Sequence, residues 1–388
     1  MDPVSRSDDA RISADMAERA ERWASTMAGH ALDPAAAPGT GEPIHLAHAD
    51  SWAGSGSNLL LPRQVREERE SQMLATLATR SHDAGDRVLD EEPDPWRTCF
   101  ERDRDRILHS TAFRRLAGKT QVFVFPDDHQ RTRLTHALEV AQVAMSVARA
   151  LGLNVALAEA IALGHDCGHG PGGHASEDAL SPFLPGGFDH APWGADVTLV
   201  PLNLCSQTLD GIRNHSWSRP APGTPEGEVV SWADRIAYVC HDFEDAVASG
   251  VVSPDQLPDL VRARCGVSRR EQLGAFIRGM IDAAATTGRI GMTAGPAEAL
   301  AAFRRFNYDH IYLRRESREQ ARSVVELLRA LVEHYAGHPE LLPEQDTDPL
   351  FAAVAYVGGM TDRFACRQAI TLLGWPVDRL PHGIDTPV

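Results

Sequence analysis

The sequence predicts an all-α protein, and three observations support that prediction. Apolar residues recur at three- and four-residue spacing over several long segments, which is the period of an amphipathic helix. Alternating apolar and polar residues, the pattern of a half-buried strand, are scarce. Proline and glycine cluster between the periodic segments. We therefore expect helices packed around one site, and 388 residues can bury a large core as one domain or two.

The first 66 residues differ in composition from the remainder, and we expect them to form a flexible arm that is partly helical. Residues 31–43 and 52–58 are rich in glycine, serine, alanine and proline, which is typical of linkers. Residues 11–28 are rich in alanine, glutamate and arginine and lack proline and glycine, so they favour a helix. The main domain is expected to cover residues 67–388.

The periodic pattern predicts four helices in the main domain, over residues 133–150, 155–163 and 229–248 and around residues 324–335. Gly152 follows the first as a stop signal, and a glycine just before His165 ends the second. The main strand candidate is residues 121–125. Residues 168–192 and 218–227 are rich in proline and glycine and are predicted to be loops.

The composition excludes some classes of protein. The formal net charge is −16, and a strongly acidic chain lacks the basic footprint of a general nucleic-acid binder. An anionic small substrate remains compatible if its site is locally positive. The six cysteines are scattered without a C-x-x-C pair, as expected for reduced thiols in a cytoplasmic protein. We expect neither a secretory signal nor a membrane span.

Four residues have the composition and order of a single metal site: His136, the dipeptide His165-Asp166, and Asp234. His136 lies in the first predicted helix, the dipeptide at the end of the second, and Asp234 early in the third. Two imidazoles and two carboxylates suit a divalent ion that activates water at a phosphorus centre. The alternatives are ordinary core or surface histidines, and a salt bridge between Asp234 and Arg235 or another base.

Seven stretches of the chain resemble, in order, the deoxyguanosine triphosphate triphosphohydrolase-like family of the HD-domain superfamily. They are residues 102–123, 131–144, 163–180, 186–190, 202–212, 229–247 and 356–365. The resemblance covers about residues 67–372 and leaves out the N-terminal arm. It implies an HD-domain helical bundle with additional C-terminal helices, with the metal core at about residues 100–250 and the C-terminal helical part at about residues 290–375.

The family resemblance implies an enzyme that hydrolyses a deoxynucleoside triphosphate, of the dGTP type, to the deoxynucleoside and inorganic triphosphate. It singles out the same four metal ligands, His136, His165, Asp166 and Asp234, from 17 histidines and many carboxylates. The expected cofactor is Mg²⁺ or Mn²⁺, with Fe²⁺, Co²⁺ and Ni²⁺ as alternatives. We also expect a homo-oligomer, with a nucleotide activator as a further partner.

Catalytic candidates follow the His-Asp dipeptide. His174 and Glu177 lie three residues apart, on one face of a starting helix, and a carboxylate beside an imidazole fixes its tautomer. In the family this pair is catalytic, and it would manage the proton of the attacking water and of the leaving 5′-oxygen. Glu177 could instead only interact with the helix dipole. His169 resembles a family histidine near the phosphates, with an exposed loop histidine as the alternative.

Two arginines are candidates for binding phosphate. Arg133 lies one helical turn before His136 on the same face, and Arg235 is next to Asp234; guanidinium groups bind phosphate oxygens in pairs. The alternative for both is a solvated surface charge, and for Arg131 we expect the surface charge.

Residues that would contact the sugar or base are implied by the resemblance. Asp234, Tyr238 and Asp242 recur every four residues along one helix face, and in the family the last two contact the deoxyribose. The alternative is a core tyrosine and a surface carboxylate. Gln121 resembles a residue near the base or sugar. His190 matches a family histidine, but the family usually continues with asparagine and, two residues later, glutamine, where this chain has Ala-Pro-Trp-Gly.

Two other functions stay open from the sequence. One is an HD phosphohydrolase that acts on a nucleoside monophosphate or a cyclic nucleotide. The other is a non-catalytic nucleotide-sensing protein, which the altered segment after His190 favours and the complete set of predicted ligands disfavours.

Overall fold

The computed structural model describes residues 3–25, 27–33, 43–52, 54, 60–126, 129–343 and 348–382. The chain divides into two compact units, Met1–Leu60 and Leu61–Val388. The described residues are mostly helical, as predicted, and their one sheet has two very short antiparallel strands, β1 (His30–Ala31) and β2 (His45–Leu46). No described helix is long and apolar enough to cross a membrane. All six cysteines are free thiols.

The helices in chain order are α1 Pro3–Ser25, α2 Arg63–Met73, α3 Cys99–His109, α4 Thr111–Arg115, α5 Arg133–Leu151, α6 Val155–Gly164, α7 Ala175–Leu180, α8 His190–Trp193, α9 Ser206–Asn214, α10 Pro225–Ala248, α11 Asp259–Cys265, α12 Arg269–Thr287, α13 Ala294–Asn307, α14 Arg315–Gly337, α15 Pro349–Gly358 and α16 Asp362–Leu373. The four helices predicted in the main domain are present as α5, α6, α10 and α14.

Local sequence signals account for the ends of the helices that carry the site. Helix α5 ends at Gly152, which has a φ of 65° and accepts the left-handed conformation that closes a helix. The Asn154 side chain caps the start of α6 by accepting a hydrogen bond from Leu157 N. Thr224 caps α10, with proline at its first position. These caps fix the starts of α6, which leads to His165, and of α10, which carries Asp234.

In the N-terminal unit, α1 begins and ends earlier than the helix predicted over residues 11–28. Most of the two predicted linkers, 31–43 and 52–58, lies outside the described residues. The first of these linkers begins with Ala31, which pairs with His45 in the small sheet. The division of the chain at residue 67 stays a prediction.

Two local predictions in the main domain were wrong. Residues 121–125 form no strand, because Phe125 has a φ of 52° and turns the backbone out of the extended conformation; only an isolated bridge joins Thr120 to Thr132. The predicted loops contain helices, since α7 lies within 168–192, α8 begins inside the same range and α10 begins inside 218–227. Proline is compatible with the first turn of a helix, so proline-rich composition alone did not indicate a loop.

The core of the second unit consists of two hydrophobic clusters. The first cluster packs α3, α5, α6, α10, α12 and α13 together, and the second packs α7, α14, α15 and α16. The segment 165–174 contacts both clusters. Cys167 belongs to the first, and Gly172 approaches the Val324 side chain of the second closely. This segment, called the metal loop below, follows α6 and carries the predicted His-Asp dipeptide.

Candidate metal centre and substrate cavity

The four predicted metal ligands lie together in the structure. His136 is in the first half of α5, His165 and Asp166 directly follow α6, and Asp234 is in α10. All four are buried. Asp234 Oδ1 lies 3.1 Å from His136 Nε2 and 3.8 Å from His165 Nε2, and Asp166 Oδ1 lies 3.5 Å from His165 Nε2. Adjacent ligands of an octahedral ion with bonds of about 2.1 Å are roughly 3 Å apart, so the spacing is close to that of a metal site.

The protonation of His165 fits a metal ligand. Its Nδ1 donates a hydrogen bond to the carbonyl of Ala162 at 2.7 Å, so in the neutral ring the Nε2 atom carries no hydrogen. Burial lowers the pKa of His165 and keeps the ring neutral. The Nε2 atom is buried and has no hydrogen-bond partner among the described residues. A bare, buried imidazole nitrogen between two carboxylate oxygens is complementary to a cation.

Two arginines each bind one oxygen of a ligand carboxylate, Asp166 or Asp234, and leave the other oxygen facing the candidate metal site. Arg133 Nη1 lies 2.6 Å from Asp166 Oδ2, and Arg235 Nη1 lies 2.5 Å from Asp234 Oδ2. The Oδ1 atoms face histidines instead: that of Asp166 lies near His169 and His165, and that of Asp234 lies near His136 and His165. Burial alone would raise the pKa of both carboxyls, but Arg133 beside Asp166, and the His136 hydrogen bond and Arg235 beside Asp234, hold each pKa below its usual value. Both aspartates are thus ionised.

A second group of imidazoles adjoins this centre. The rings of His169 and His190 stack with their centroids 3.7 Å apart, and His174 packs edge-on to His169 at 4.9 Å. Glu177 joins the group, because its Oε1 lies 2.5 Å from His190 Nδ1 and its Oε2 lies 3.4 Å from His174 Nδ1. His169 is buried, so its alternative interpretation as an exposed loop residue was wrong.

The hydrogen bonds around His190 indicate where the protons are. His215 donates from Nδ1 to the Ile212 carbonyl at 2.8 Å, and burial lowers the pKa of His215 to about 3, so its Nε2 is a bare acceptor. His190 Nε2 lies 3.2 Å from that acceptor and must donate to it. Burial alone would raise the pKa of Glu177, but its bonds to His174 and His190 lower it well below its usual value. His190 therefore bridges Glu177 and His215 through its two ring nitrogens.

A cavity of about 1000 Å³ opens onto both groups. Its lining includes every predicted site residue except His165, which is fully buried behind the others: Gln121, Arg133, His136, Asp166, His169, His174, Glu177, His190, Asp234, Arg235, Tyr238 and Asp242. This volume is large enough for a nucleotide. These twelve predicted residues come from the 121–125 turn, α5, the metal loop, α7, α8 and α10.

Part of the cavity is lined by tyrosines and arginine. The Tyr238 hydroxyl accepts a hydrogen bond from Arg304 Nε at 2.7 Å, and burial raises the pKa of Tyr238 to about 12. Among the described residues Arg304 bonds only to phenol hydroxyls, those of Tyr238 and Tyr308, and to no carboxylate. Arg304 is therefore a cation that pairs with no carboxylate among the described residues, and it is available to an anionic ligand in the cavity.

Arg131 is not a surface charge as we predicted. Its side chain is buried and forms ion pairs with Asp242, with Asp245 at 3.0 Å and with Glu139 at 3.0 Å. Asp242 is also buried and accepts a further hydrogen bond from the Tyr312 hydroxyl. The prediction failed because Arg131 precedes α5 and its acidic partners on α10 lie more than a hundred residues away.

Sequence reasoning missed three residues at the site: His215, Arg304 and Tyr312. His215 lies just beyond a stretch that carries the family resemblance, and no pattern around it marked it as buried. Arg304 and Tyr308 are four residues apart and so share one helix face, which is a weak signal available in the sequence. Tyr312 follows Tyr308 at the same spacing, and that repeat could have directed attention to the segment.

Comparisons with known proteins agree with this architecture. The family model of the HD domain matches residues 133–239, and that of the phosphohydrolase-associated domain matches residues 290–370. The chain is 39% identical over 316 residues to the deoxyguanosinetriphosphate triphosphohydrolase-like protein of Caldanaerobacter subterraneus subsp. tengcongensis, covering 78% of this chain and 93% of that protein.

Two further relatives carry similar names. The deoxyguanosinetriphosphate triphosphohydrolase-like protein of Clostridium perfringens strain 13 is 38% identical over 328 residues, which are 79% of this chain and 96% of the relative. The deoxyguanosinetriphosphate triphosphohydrolase-like protein 1 of Deinococcus radiodurans is 35% identical over 374 residues, with 81% of this chain and 100% of the relative covered. The similarity thus extends over nearly the whole length of these relatives.

Proposed function

This chain belongs to the deoxyguanosinetriphosphate triphosphohydrolase-like family of HD-domain phosphohydrolases, and on that premise we propose that it hydrolyses deoxynucleoside triphosphates to the deoxynucleoside and inorganic triphosphate. The observation that carries the proposal is a buried group of His136, His165 and Asp234, whose ligand atoms lie within 4.8 Å of one another, with Asp166 Oδ1 3.5 Å from His165 Nε2, beside a nucleotide-sized cavity. The dGTP-like names of the relatives motivate the choice of substrate class.

We assign His136, His165, Asp166 and Asp234 as the residues that hold a divalent ion. Bound there, the ion would supply positive charge that polarises the phosphoryl oxygens and acidifies an attacking water. Mg²⁺ and Mn²⁺ are the proposed ions, and Fe²⁺, Co²⁺ or Ni²⁺ also suit a set of two nitrogen and two oxygen ligands.

Three arginines are suited to bind the triphosphate. Arg133 and Arg235 each use one terminal nitrogen to pair with a ligand carboxylate, and the guanidinium group has further donors for phosphate oxygens. Arg235 Nε is buried and has no hydrogen-bond partner among the described residues. Arg304 adds a charge that pairs with no carboxylate in the part of the chain that the structure describes. Together they would offset the charge of a triphosphate next to the ligand carboxylates.

The proton that hydrolysis moves is assigned to the imidazole group. Glu177 accepts from His174 Nδ1, which leaves His174 Nε2 to exchange a proton with the substrate. His174 is the most exposed member of the group, so a substrate in the cavity can reach it. His190 holds Glu177 from the other side and fixes the carboxylate that orients His174. His169 lies between them and is proposed to contact the phosphates.

Gln121, Tyr238 and Asp242 are proposed to bind the nucleoside. Gln121 Oε1 is buried, lines the cavity and has no hydrogen-bond partner among the described residues, so it can accept a bond from a ligand. Tyr238 is held by Arg304, and Asp242 is held by Arg131 and Tyr312. Because these side chains are fixed before a ligand arrives, they can discriminate a deoxyribose at little entropic cost. A homo-oligomer and a nucleotide activator stay predictions.

Product analysis tests the proposed function. The purified protein would be incubated with each dNTP, singly and mixed, with Mg²⁺ or Mn²⁺, and the products separated by anion-exchange chromatography. We expect deoxynucleoside and intact triphosphate, and no product from Asp166→Ala. The matched control is Asp178→Ala, which removes an exposed carboxylate from α7 near the loop and should retain activity.

Two results would overturn the proposal. Release of monophosphate and pyrophosphate would show that a different phosphorus bond is cleaved. Nucleotide binding without turnover under any of these conditions would favour a sensor of nucleotides. Calorimetric titration with Mn²⁺ gives a second readout that needs no turnover, and there Asp166→Ala should lose binding while Asp178→Ala retains it.

A further inference from the structure

The metal loop is held from its outer side by the C-terminal helices. Asp362, the first residue of α16, is buried, and its Oδ1 accepts a hydrogen bond from Gly172 N at 2.8 Å. Its Oδ2 accepts from Thr120 N at 2.8 Å and from the Thr120 hydroxyl at 2.6 Å. One carboxylate thus joins the metal loop, the segment before α5 and α16, although it does not line the cavity.

Lys119 makes a second connection across the same region. The side chain is buried, and its ammonium group donates to the His169 carbonyl and, at 3.1 Å, to the Gly358 carbonyl at the end of α15. A buried ammonium group is costly unless carbonyls or carboxylates satisfy it. Lys119 therefore binds the backbone of a proposed catalytic residue to the C-terminal part of the chain.

The metal loop has no spare room between these contacts. Gly172 and Gly173 have φ values of 71° and 62°, and a Cβ atom on Gly172 would lie 2.4 Å from Val324 Cγ1. A Cβ atom on Gly173 would lie 2.9 Å from the Thr120 carbonyl oxygen. The loop is therefore packed tightly between α14 and the segment before α5, and two buried charged groups fix its backbone from outside the cavity.

We propose that Lys119 and Asp362 are positioning residues, which hold His169 and His174 at their places beside the metal ligands without touching the substrate. The inference rests on the proposed function for its effect on turnover. His136 and Asp234 lie on α5 and α10, and His165 and Asp166 directly follow α6, before the loop residues that Lys119 and Asp362 hold, so metal binding depends less on these contacts than the placement of the two histidines does. The C-terminal helices α15 and α16 thereby take part in organising the active site.

Steady-state kinetics separate positioning from general stability. Asp362→Asn keeps the shape of the side chain but replaces one acceptor oxygen with an NH₂ group that faces hydrogen-bond donors. Lys119→Met keeps a side chain of similar length but removes both hydrogen bonds that the ammonium group donates. We expect each to lower kcat at least tenfold, with KM and Mn²⁺ affinity within about threefold of the wild type. The matched control is Asp348→Asn, which changes an exposed carboxylate that caps α15 and contacts no residue of the metal loop.

Hydrogen–deuterium exchange tests the same inference without turnover, so it stands even if the protein hydrolyses no dNTP. In both variants the amides of residues 168–176 should exchange faster, while those in the middle of α5 and α10 keep the wild-type rate. Faster exchange in α5 and α10 as well would mean general destabilisation and would overturn the inference. The inference would also be overturned if the metal loop exchanged at the wild-type rate in the Lys119 and Asp362 variants. The same holds if the protein is active and the kcat of these variants is no lower than that of Asp348→Asn.

Discussion

Replacing Gly168 with alanine should disable the site through the backbone alone. Gly168 lies in the metal loop, where it meets α8 and the residue that follows it. A Cβ atom there would lie 2.0 Å from the His190 carbonyl oxygen and 2.4 Å from Gly194 N. Both neighbours are backbone atoms and cannot rotate away, so the two segments must move apart. Ordinary contacts of a Cβ atom begin at 3.4 Å, so we expect a displacement of roughly 1 Å or more.

The size of the effect follows from what these segments carry. His169 and His190 stack with centroids 3.7 Å apart, and each is adjacent to the clash. A misplacement of about 1 Å in a catalytic group can cost about a hundredfold in rate. We therefore expect Gly168→Ala to lower kcat about a hundredfold. The overpacked contact should also lower the free energy of unfolding by about 1–3 kcal/mol.

The assay is the release of triphosphate at saturating substrate, together with urea unfolding followed by circular dichroism. Gly186→Ala is the matched control, because a Cβ atom on Gly186 meets nothing within 4 Å and its φ is not in the left-handed region. That variant should keep wild-type rate and stability. The close approach of the metal loop to α8 would be refuted if Gly168→Ala had a kcat within twofold of the control and a free energy of unfolding within 0.5 kcal/mol of it.

Three further predictions concern the surroundings of the site. Arg131→Met should lower the free energy of unfolding, measured with urea, by about 3–5 kcal/mol, because it leaves the buried carboxylates of Asp242 and Asp245 without their cation. An unchanged urea midpoint would contradict these buried ion pairs. Burial lowers the pKa of His215 and of His241 to about 3 each, so the unfolded chain binds more protons than the folded chain at acid pH. The free energy of unfolding of the metal-free protein should therefore be highest above about pH 6.5 and should decline from there towards pH 3. A free energy of unfolding that does not change with pH, measured with urea, would contradict buried neutral rings. Tyr238→Phe removes the hydrogen bond from Arg304 and should raise KM about two- to tenfold while metal binding stays intact. An unchanged KM would show that Tyr238 and Arg304 do not contact the substrate.

The helices of the main domain were predictable because their signals are local. The apolar period of 3.6 residues located α5, α6, α10 and α14, and the stop at Gly152 was correct because glycine accepts a positive φ. The strand predicted over residues 121–125 failed, since the left-handed conformation of Phe125 depends on tertiary contacts that no local pattern records. The short helices α7 and α8 were missed because four to six residues give too little periodicity.

The sequence by itself determined the helical class, the chemistry of the candidate metal site and the local pairing of His174 with Glu177. Spacing along one helix suffices for the class and the pairing, because neighbours at three or four residues must share a face. The metal-site residues belong to three separate segments and were singled out with the help of the family resemblance. Only the tertiary structure decided that Arg131 is buried against Asp242, that His215 completes the hydrogen-bond chain of His190, and that Asp362 holds the metal loop. These contacts join residues that are distant in the chain, and the packing of helices, rather than any local period, brings them together.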